Sequence, residues 1–366
     1  MNKANTLLYF YIIFLLFSCS LYSGQPKADK NHNPDQIMSS PDSQKTLQKE
    51  EPFSIREFLP SQKEKPITKA ACYGFYRKGQ APGKKGPTEE ELLEDLKIIS
   101  KNWNLIRIYN SDDYAERILK LIKEKNLPIK LMLGVWLANE TDDARTRSVN
   151  LKNTLKCIEL VKEYPKIICG VNVGNETQVY WSWHKMQAEN LIHYIRLIRS
   201  NISLPVTTAD DYNFWNKKES IKVAEEIDFI LVHMHPLWNG KIISNTFEWM
   251  NQTYEDIKQI HSDRLIVIGE VGWATDYNPD KNGPAEQGTL VKGEVSLKAQ
   301  EKFLIELEEW IEKNKVITFL FEIFDESWKG GAKADSRDIE KNWGVFYEDR
   351  TPKDSFKKFL LQKDKK

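Results

Sequence analysis

Short apolar segments alternate with longer amphipathic segments along most of the chain, and this alternation limits the possible folds more than any other feature. The apolar runs have the length of strands, and the longer segments carry the apolar spacing of helices. Strands joined by crossover helices pair in parallel. The eight strand candidates are Ala71–Tyr76, Leu105–Tyr109, Ile129–Trp136, Ile167–Asn172, Pro205–Ala209, Phe229–His233, Leu265–Glu270 and Thr318–Phe324.

Eight such units in succession favour a closed (β/α)8 barrel over an open sheet. A doubly wound nucleotide-binding sheet would carry a GxGxxG turn after its first strand, and neither that turn nor a Walker phosphate loop is seen. Thr88 and Glu91 form the pattern of a capping box, which indicates where the first helix begins. We therefore predict one barrel domain over residues 70–366 of the 366-residue chain.

The N-terminal residues have the pattern of an export signal. Lys3 precedes an apolar run from Leu7 to Phe17, which is shorter than the roughly 20 residues that a membrane-spanning helix needs. The stretch LFSC that ends at Cys19 resembles the lipobox of bacterial lipoproteins, in which the cysteine is acylated and becomes the mature N-terminus. Residues 1–18 are thus predicted to be a lipoprotein signal peptide; a plain signal peptide with a chance cysteine is the alternative.

These features predict an exported protein held to a membrane of a bacterial cell envelope through a lipid on Cys19. Whether it faces the periplasm or the cell surface is left open. Residues 19–69 are rich in Lys, Gln, Ser, Pro and Asp and have almost no apolar periodicity, so we expect a disordered tether. The 53 basic and 53 acidic residues balance, which gives no electrostatic basis for nucleic-acid binding and favours a neutral partner.

Acidic residues stand at the carboxyl ends of the predicted strands, where barrels of this kind place their active groups. Glu176 follows the fourth strand and Glu270 ends the seventh. Cleavage of a glycosidic bond requires one carboxylic acid that protonates the leaving oxygen and one carboxylate that attacks the sugar or activates water. A single glutamate at a strand end could equally form a structural salt bridge, but two in glycine-flanked, aromatic-rich surroundings favour catalysis.

Several motifs, in order along the chain, resemble those of glycoside hydrolase family 17, the β-1,3-glucanases and glucanosyltransferases. The main ones are GVNVGNE at 170–176 and IGEVGW at 268–273, and CYGFY at 72–76, IRIY at 106–109, FEIFDESWK at 321–329 and NWGVF at 342–346 agree with them. The resemblance spans roughly 71–353. It implies cleavage of β-1,3-linked, laminarin-type glucan by double displacement, with no cofactor and no metal.

The resemblance also implies roles for individual residues. Glu176 is expected to be the acid/base, Glu270 the nucleophile about 5 Å away, and Asn175 a contact to the sugar 2-hydroxyl. Arg107 and Tyr109 lie on one face of the second strand, and Arg107 is expected to keep Glu270 ionised; a buried structural ion pair is the alternative. Supporting roles are implied for Tyr73, Glu326 and Lys329, the last two near the acid/base.

Two histidines and several tryptophans complete the candidate site. His233 and His235 point the same way from the sixth strand, but the other histidines lie in the tether or in predicted helices, so hydrogen bonding to the nucleophile region or to sugar hydroxyls is favoured over metal binding. Trp273 and Trp238 are candidates for stacking on pyranose rings. Cys72, Cys157 and Cys169 have no metal-site spacing and are expected to pack as small apolar groups.

Two alternative functions use the same barrel. In a glucanosyltransferase a sugar hydroxyl replaces water as the acceptor, while a surface lipoprotein could bind glycan without cleaving it. Loops set the choice between endo and exo action, the exact linkage and the chain length, so these stay open. The protein is predicted to be a monomer.

Overall fold

In the computed structural model the central sheet is a closed barrel of eight parallel strands, in which the last strand pairs with the first. The model describes residues 48–49, 53–141, 143–279, 290–330 and 336–363. The prediction of a (β/α)8 barrel is confirmed. The strands are β1 (Lys69–Cys72), β2 (Leu105–Ile108), β3 (Lys130–Val135), β4 (Ile168–Asn175), β5 (Val206–Asp211), β6 (Phe229–His233), β7 (Leu265–Val271) and β8 (Thr318–Leu320).

Helices follow the strands around the outside of the barrel. They are α1 (Glu89–Asn102), α2 (Asp113–Glu124), α3 (Ala144–Glu163), α4 (Ala188–Arg199), α5 (Tyr212–Trp215), α6 (Ile221–Ala224), α7 (Ile243–Ile260), α8 (Leu297–Asn314) and α9 (Asp354–Lys363). Thr88 caps α1 through the predicted capping box with Glu91. Among the described residues, no helix is both long enough and apolar enough to cross a membrane.

The strand ends near the barrel mouth differ from the prediction. β4 continues to Asn175, which brings Glu176 directly to the strand end. β8 stops at Leu320, and the chain then continues irregularly between β7 and β1, where the Ile323 amide donates to the Cys72 carbonyl (3.2 Å) and the Asp325 amide to the Phe346 carbonyl (2.9 Å). These turns place the acidic motif after β8 beside the ends of β1 and β7.

The predicted disordered tether, residues 19–69, extends too far towards the C-terminus. From residue 53 onward the chain packs against the amino-terminal end of the barrel and forms a short hairpin, Ser61–Gln62 with Lys65–Pro66. The Phe58 ring is buried and stacks on Phe229 at 4.4 Å. A Cβ on Gly170 would stand 3.0 Å from that ring, so the barrel interior there has little room for a side chain.

Polar contacts also hold this segment. The Arg56 amide donates to Asp228 (2.8 Å), and its guanidinium donates to the carbonyls of Ile202 (2.9 Å) and Arg199 (3.1 Å). Residues 53–68 therefore close the barrel bottom, opposite the predicted site. The predicted signal peptide, Cys19 and most of the predicted tether lie outside the described residues.

Candidate active site

Arg107 organises the barrel mouth from the end of β2. Its side chain is fully buried, and Nη1 donates to Glu270 Oε1 (3.0 Å) and to the Gly269 carbonyl (3.1 Å). Nη2 donates to Asn175 Oδ1 at 2.5 Å. The planar guanidinium thus joins the ends of β2, β4 and β7 in a fixed geometry, which a lysine could not reproduce.

Glu270 lies at the centre of this network. Tyr109 donates its hydroxyl hydrogen to Oε1 (2.9 Å), and His235 Nε2 lies 3.1 Å from Oε2. Burial alone would raise the pKa of Glu270, but His233, His235 and Arg107 outweigh burial and hold this pKa well below its usual range. Glu270 is therefore an ionised carboxylate inside a mostly buried site.

Glu176 stands across the mouth and is less enclosed. About 28% of its side chain is exposed, against 7% for Glu270. Its backbone adopts a left-handed conformation with φ of 51°, which is unfavourable for a residue with a side chain. The Glu176 amide donates to the Ala209 carbonyl of β5 (2.8 Å), which fixes the turn. The strained backbone aims this carboxyl into the mouth.

His233 bridges the two glutamates. Nδ1 lies 2.9 Å from Glu176 Oε1, while Nε2 lies 3.3 Å from Glu270 Oε1 and 3.0 Å from Arg107 Nη1. His233 thus contacts both carboxyl groups and the Arg107 guanidinium through its two ring nitrogens. The carboxyl groups are therefore separated by little more than one imidazole ring and its hydrogen bonds.

The Asn175 side chain provides a hydrogen-bond donor for a ligand. Asn175 Oδ1 accepts from Arg107, and Nδ2 donates to no group in the part of the chain that the structure describes, so its hydrogens remain for a ligand. His184 Nε2 contacts the Asn175 carbonyl at 2.6 Å. His184 lies in the loop after β4 and not in a helix as predicted. It supports the backbone that carries the two site residues.

The acidic motif after β8 forms a second cluster. Lys329 Nζ donates to both carboxylate oxygens of Glu322 (2.7 Å each) and to Glu326 (2.9 Å). These carboxylates raise the pKa of Lys329 above its usual value despite burial. Glu326 also accepts from the Trp328 indole (2.9 Å) and occupies the space where a Cβ on Gly74 would lie. Lys329 and Glu326 thus bind each other and Glu322.

Two predicted site residues lie elsewhere. Tyr73 is fully buried and donates its hydroxyl hydrogen to Asp95 of α1 at 3.0 Å, because its side chain points out of the barrel towards the helices. Trp273 is 1% exposed; its indole donates to the Glu294 carbonyl (2.9 Å) and packs on Phe303 of α8. Neither contacts the mouth, so the predictions of a sugar-facing Trp273 and of a site role for Tyr73 are wrong.

Trp238 stays at the mouth, half-buried in the short 3-10 helix Leu237–Asn239 that follows β6. Sequence reasoning missed two further carboxyl groups. Asp211 ends β5, and burial, followed by repulsion from Glu176, raises its pKa to about 7. Glu340, in the 3-10 helix Ile339–Lys341, has a raised pKa, because of burial first and of repulsion from Glu176 and Glu270 after it.

Exposed aromatic rings also escaped the sequence analysis. Tyr180 and Trp183 are 67% and 64% exposed, and both lie in the loop directly after Glu176. Their position in the sequence, shortly after the strand-end residue Glu176, could have identified them as candidates for the site. Within the described ranges no group of three or more His, Cys, Asp or Glu side chains could hold a metal ion.

A parallel barrel with two glutamates facing one another at its mouth, one ionised and enclosed and the other partly exposed, is the arrangement of a glycoside hydrolase. The comparison with family models agrees. The model for the BtgE/BtgC glycoside hydrolase domain matches residues 70–344, and the chain belongs to this family. The prediction of a family-17-type glycoside hydrolase is thereby confirmed.

Two fungal relatives are similar over most of their length. A glucan 1,3-beta-glucosidase of Schizosaccharomyces pombe is 26% identical over 278 residues, which cover 72% of this chain and 79% of the relative. One from Arthroderma benhamiae is 25% identical and covers 78% of this chain and 92% of the relative.

Two solved structures share the fold. An endo-laminarinase from Formosa Hel1_33_131 aligns with a TM-score of 0.68 at 22% identity, over 81% of this chain and 86% of that one. A glycoside hydrolase family 17 beta-1,3-glucanosyltransferase from Rhizomucor miehei aligns with a TM-score of 0.62 at 20% identity, over 79% of this chain and 96% of that one.

Proposed function

We propose that this glycoside hydrolase cleaves β-1,3-linked glucan with retention of the anomeric configuration. The observation that carries the proposal is the unequal environment of the two glutamates. Glu270 is enclosed by Arg107, Tyr109 and two histidines that keep it ionised, as a nucleophile requires. Glu176, partly exposed and in contact with Nδ1 of His233, is placed to exchange a proton with a bound ligand.

In the first step Glu270 attacks the anomeric carbon while Glu176 gives its proton to the glycosidic oxygen. The bond from the anomeric carbon to that oxygen breaks, the leaving glucan departs as an alcohol, and an ester links the sugar to Glu270. Arg107 and Tyr109 stay on Oε1 of Glu270 and hold its orientation throughout. Asn175 Nδ2 is free to donate to a hydroxyl of the sugar.

In the second step the Glu176 carboxylate takes a proton from water, and the resulting hydroxide equivalent attacks the anomeric carbon. The ester bond breaks, and Glu270 leaves as a carboxylate. Both glutamates return to their starting protonation states. A sugar hydroxyl in the place of water would give transfer instead of hydrolysis, with the same proton movements.

The substrate proposal is supported by the relatives, whose names describe action on β-1,3-glucan or laminarin. The test is incubation of the purified enzyme with β-1,3-, β-1,4-, β-1,6- and mixed-linkage glucans, followed by product sizing. We expect shorter products from laminarin and none from β-1,4-glucan. Products longer than the starting oligosaccharide would identify a transferase, and no product from any β-1,3-linked substrate would overturn the proposal.

We further propose that the protein is exported and anchored in a bacterial cell envelope through a lipid on Cys19. The lipobox-like LFSC stretch that ends at Cys19 supports this. Fatty-acid labelling of wild type and Cys19→Ser tests it. Label in wild type alone is expected; equal label in both would contradict lipidation. Light scattering tests the predicted monomer.

A further inference from the structure

Asp211 is a carboxyl group at the barrel mouth that the proposed two-step reaction does not use. It is 5% exposed and ends β5, the neighbour of the strand that carries Glu176. Such a buried acid costs free energy unless its oxygens are satisfied by the protein or by a ligand. Its position therefore requires an explanation.

The strand register shows which way Asp211 points. Asp211 is the cross-strand partner of His233, and aligned residues of neighbouring parallel strands point to the same face of the sheet. His233 points inward, because it contacts Arg107 and Glu176. Asp211 therefore also faces the mouth, whereas Asp210 points the other way and accepts from the amides of residues 178 and 179.

One of the two carboxylate oxygens of Asp211 already accepts hydrogen bonds from the protein. Oδ1 accepts from the backbone amide and the side-chain amide of Asn213, both at 2.8 Å, and so caps the short helix α5. Oδ2 accepts no hydrogen bond from the part of the chain that the structure describes. Asn175 pairs with Ala209, and the Glu176 amide donates to the Ala209 carbonyl, so Asp211, two residues further along β5, lies beside the acid/base.

An exposed aromatic ring lies on the same side of the mouth. The Tyr180 ring is mostly exposed and its centroid lies 5.7 Å from the ammonium group of Lys217, which closely follows the helix that Asp211 caps. An open carboxylate oxygen together with an accessible aromatic ring suits a pyranose, whose hydroxyls donate hydrogen bonds and whose apolar face stacks on rings.

The position of Asp211 and Tyr180 around the barrel indicates which sugar unit of the substrate they can contact. A retaining glycosidase holds one sugar on its nucleophile and the leaving sugar beyond the oxygen that the acid/base protonates. Asp211 and Tyr180 adjoin Glu176, and the histidines of β6 separate them from Glu270 on β7. We propose that Asp211 is a specificity-determining residue whose Oδ2 accepts a hydrogen bond from a hydroxyl of the leaving-group or acceptor sugar.

This inference rests on the proposed cleavage of β-1,3-glucan. The test is therefore designed to distinguish a failure of the inference from a failure of the proposed function. A dinitrophenyl β-laminarioside loads the glycosyl group onto Glu270 without acid assistance, and laminaribiose and methanol then compete with water as acceptors. Both acceptors need Glu176 as the base, but only laminaribiose offers sugar hydroxyls to Asp211. The ratio of laminaribiose transfer to methanol transfer therefore isolates acceptor recognition from proton transfer.

Asp211→Asn and Asp211→Ser are suitable variants because both side chains can still cap α5. We expect each to lower the laminaribiose-to-methanol ratio about 10- to 100-fold, as for loss of a hydrogen bond to a charged group. Methanol-to-water partition should stay within about twofold of wild type. Asp263→Asn, at an exposed position before β7, is the matched control and should change neither ratio.

An unchanged laminaribiose-to-methanol ratio in both folded variants would overturn the inference. So would an equal loss of transfer to both acceptors, because that would mean that Asp211 acts through Glu176. Failure of wild type to cleave laminarin would instead remove the proposed function, and the inference with it. Thermal unfolding of each variant shows that the compared proteins are folded.

Discussion

At the scale of single residues, the surroundings of Glu270 and Glu176 assign different tasks to two chemically identical side chains. Among the described residues, Glu270 has four polar partners and a depressed pKa, whereas the Glu176 carboxyl contacts one ring nitrogen. Their roles can be separated with azide, a small nucleophile that can replace a missing carboxylate.

Glu176→Ala should lose most hydrolysis but still form the ester from an activated aryl substrate, which needs no acid. Azide then attacks the ester and gives a β-glycosyl azide. In Glu270→Ala, azide takes the place of the nucleophile and gives the α-azide. The anomeric coupling constants of the products, measured by NMR, distinguish the two; the opposite pairing would reverse the assigned roles.

Arg107 should control the acid limb of the pH profile. It is one of the groups that depress the pKa of Glu270, and Arg107→Met removes its charge while burial still raises that pKa. The nucleophile of the variant would then be protonated at a higher pH. We expect the acid limb of kcat/KM to move to higher pH and the maximum to fall about 100-fold. A reduced maximum with an unmoved acid limb would mean a purely structural role.

His235 should give the fold a pH-dependent stability. Burial opposes its charge, but Glu270 outweighs burial and raises the pKa of His235 above 6.5. A raised folded-state pKa contributes stability below the unfolded value, and this contribution is lost as pH rises through the folded value. The Tm difference between wild type and His235→Gln should thus be largest near pH 5–6 and shrink above pH 7; a difference that grows with pH would contradict this.

The site residues that the sequence predicted share a motif, and those that it missed do not. Arg107, Tyr109 and Asn175 stand at strand ends within recognisable patterns, whereas Asp211 and Glu340 acquire their positions only through packing. Trp273 was predicted wrongly because it lies two residues beyond the end of β7, where tertiary packing and not strand alternation sets its direction: its indole donates to the Glu294 carbonyl.

At the scale of elements, the strands and helices could be predicted because their apolar periodicity reflects burial in a barrel. All eight predicted strands overlap the observed ones, and the errors fall at the ends, where tertiary contacts decide the length. Residues 53–68 could not be predicted. Their order depends on tertiary partners such as Phe229 and Asp228, which local composition does not reveal.

The docked segment should matter for stability and not for catalysis. Phe58→Ala removes a buried ring from the barrel bottom and should cost about 3–5 kcal/mol of unfolding free energy. Activity per folded molecule should be unchanged, because the mouth lies at the other end. Ile55→Ala, in the same segment but 43% exposed, is the control and should cost less than about 0.5 kcal/mol. Equal losses in the two variants would contradict the packing described here.

At the scale of the whole molecule, the N-terminal segment and the two glutamates lie at opposite ends of the barrel. The segment that leads into the domain closes one end, and the glutamates open at the other. A protein anchored through its N-terminus would then present its site away from the anchor. The neutral charge balance suits an uncharged glucan. Such a substrate is selected by steric fit and hydrogen bonding, because a long-range electrostatic field does not attract an uncharged molecule.

The central claim is that Glu270 forms a covalent intermediate, so that the configuration of the cleaved sugar is kept. NMR spectra recorded during the first minutes of laminarioligosaccharide cleavage reveal which anomer forms before mutarotation. The account predicts the β-anomer as the first product at the cleaved end. An α-anomer formed first would mean direct attack by water on the substrate, and the assignment of Glu270 as nucleophile would be wrong.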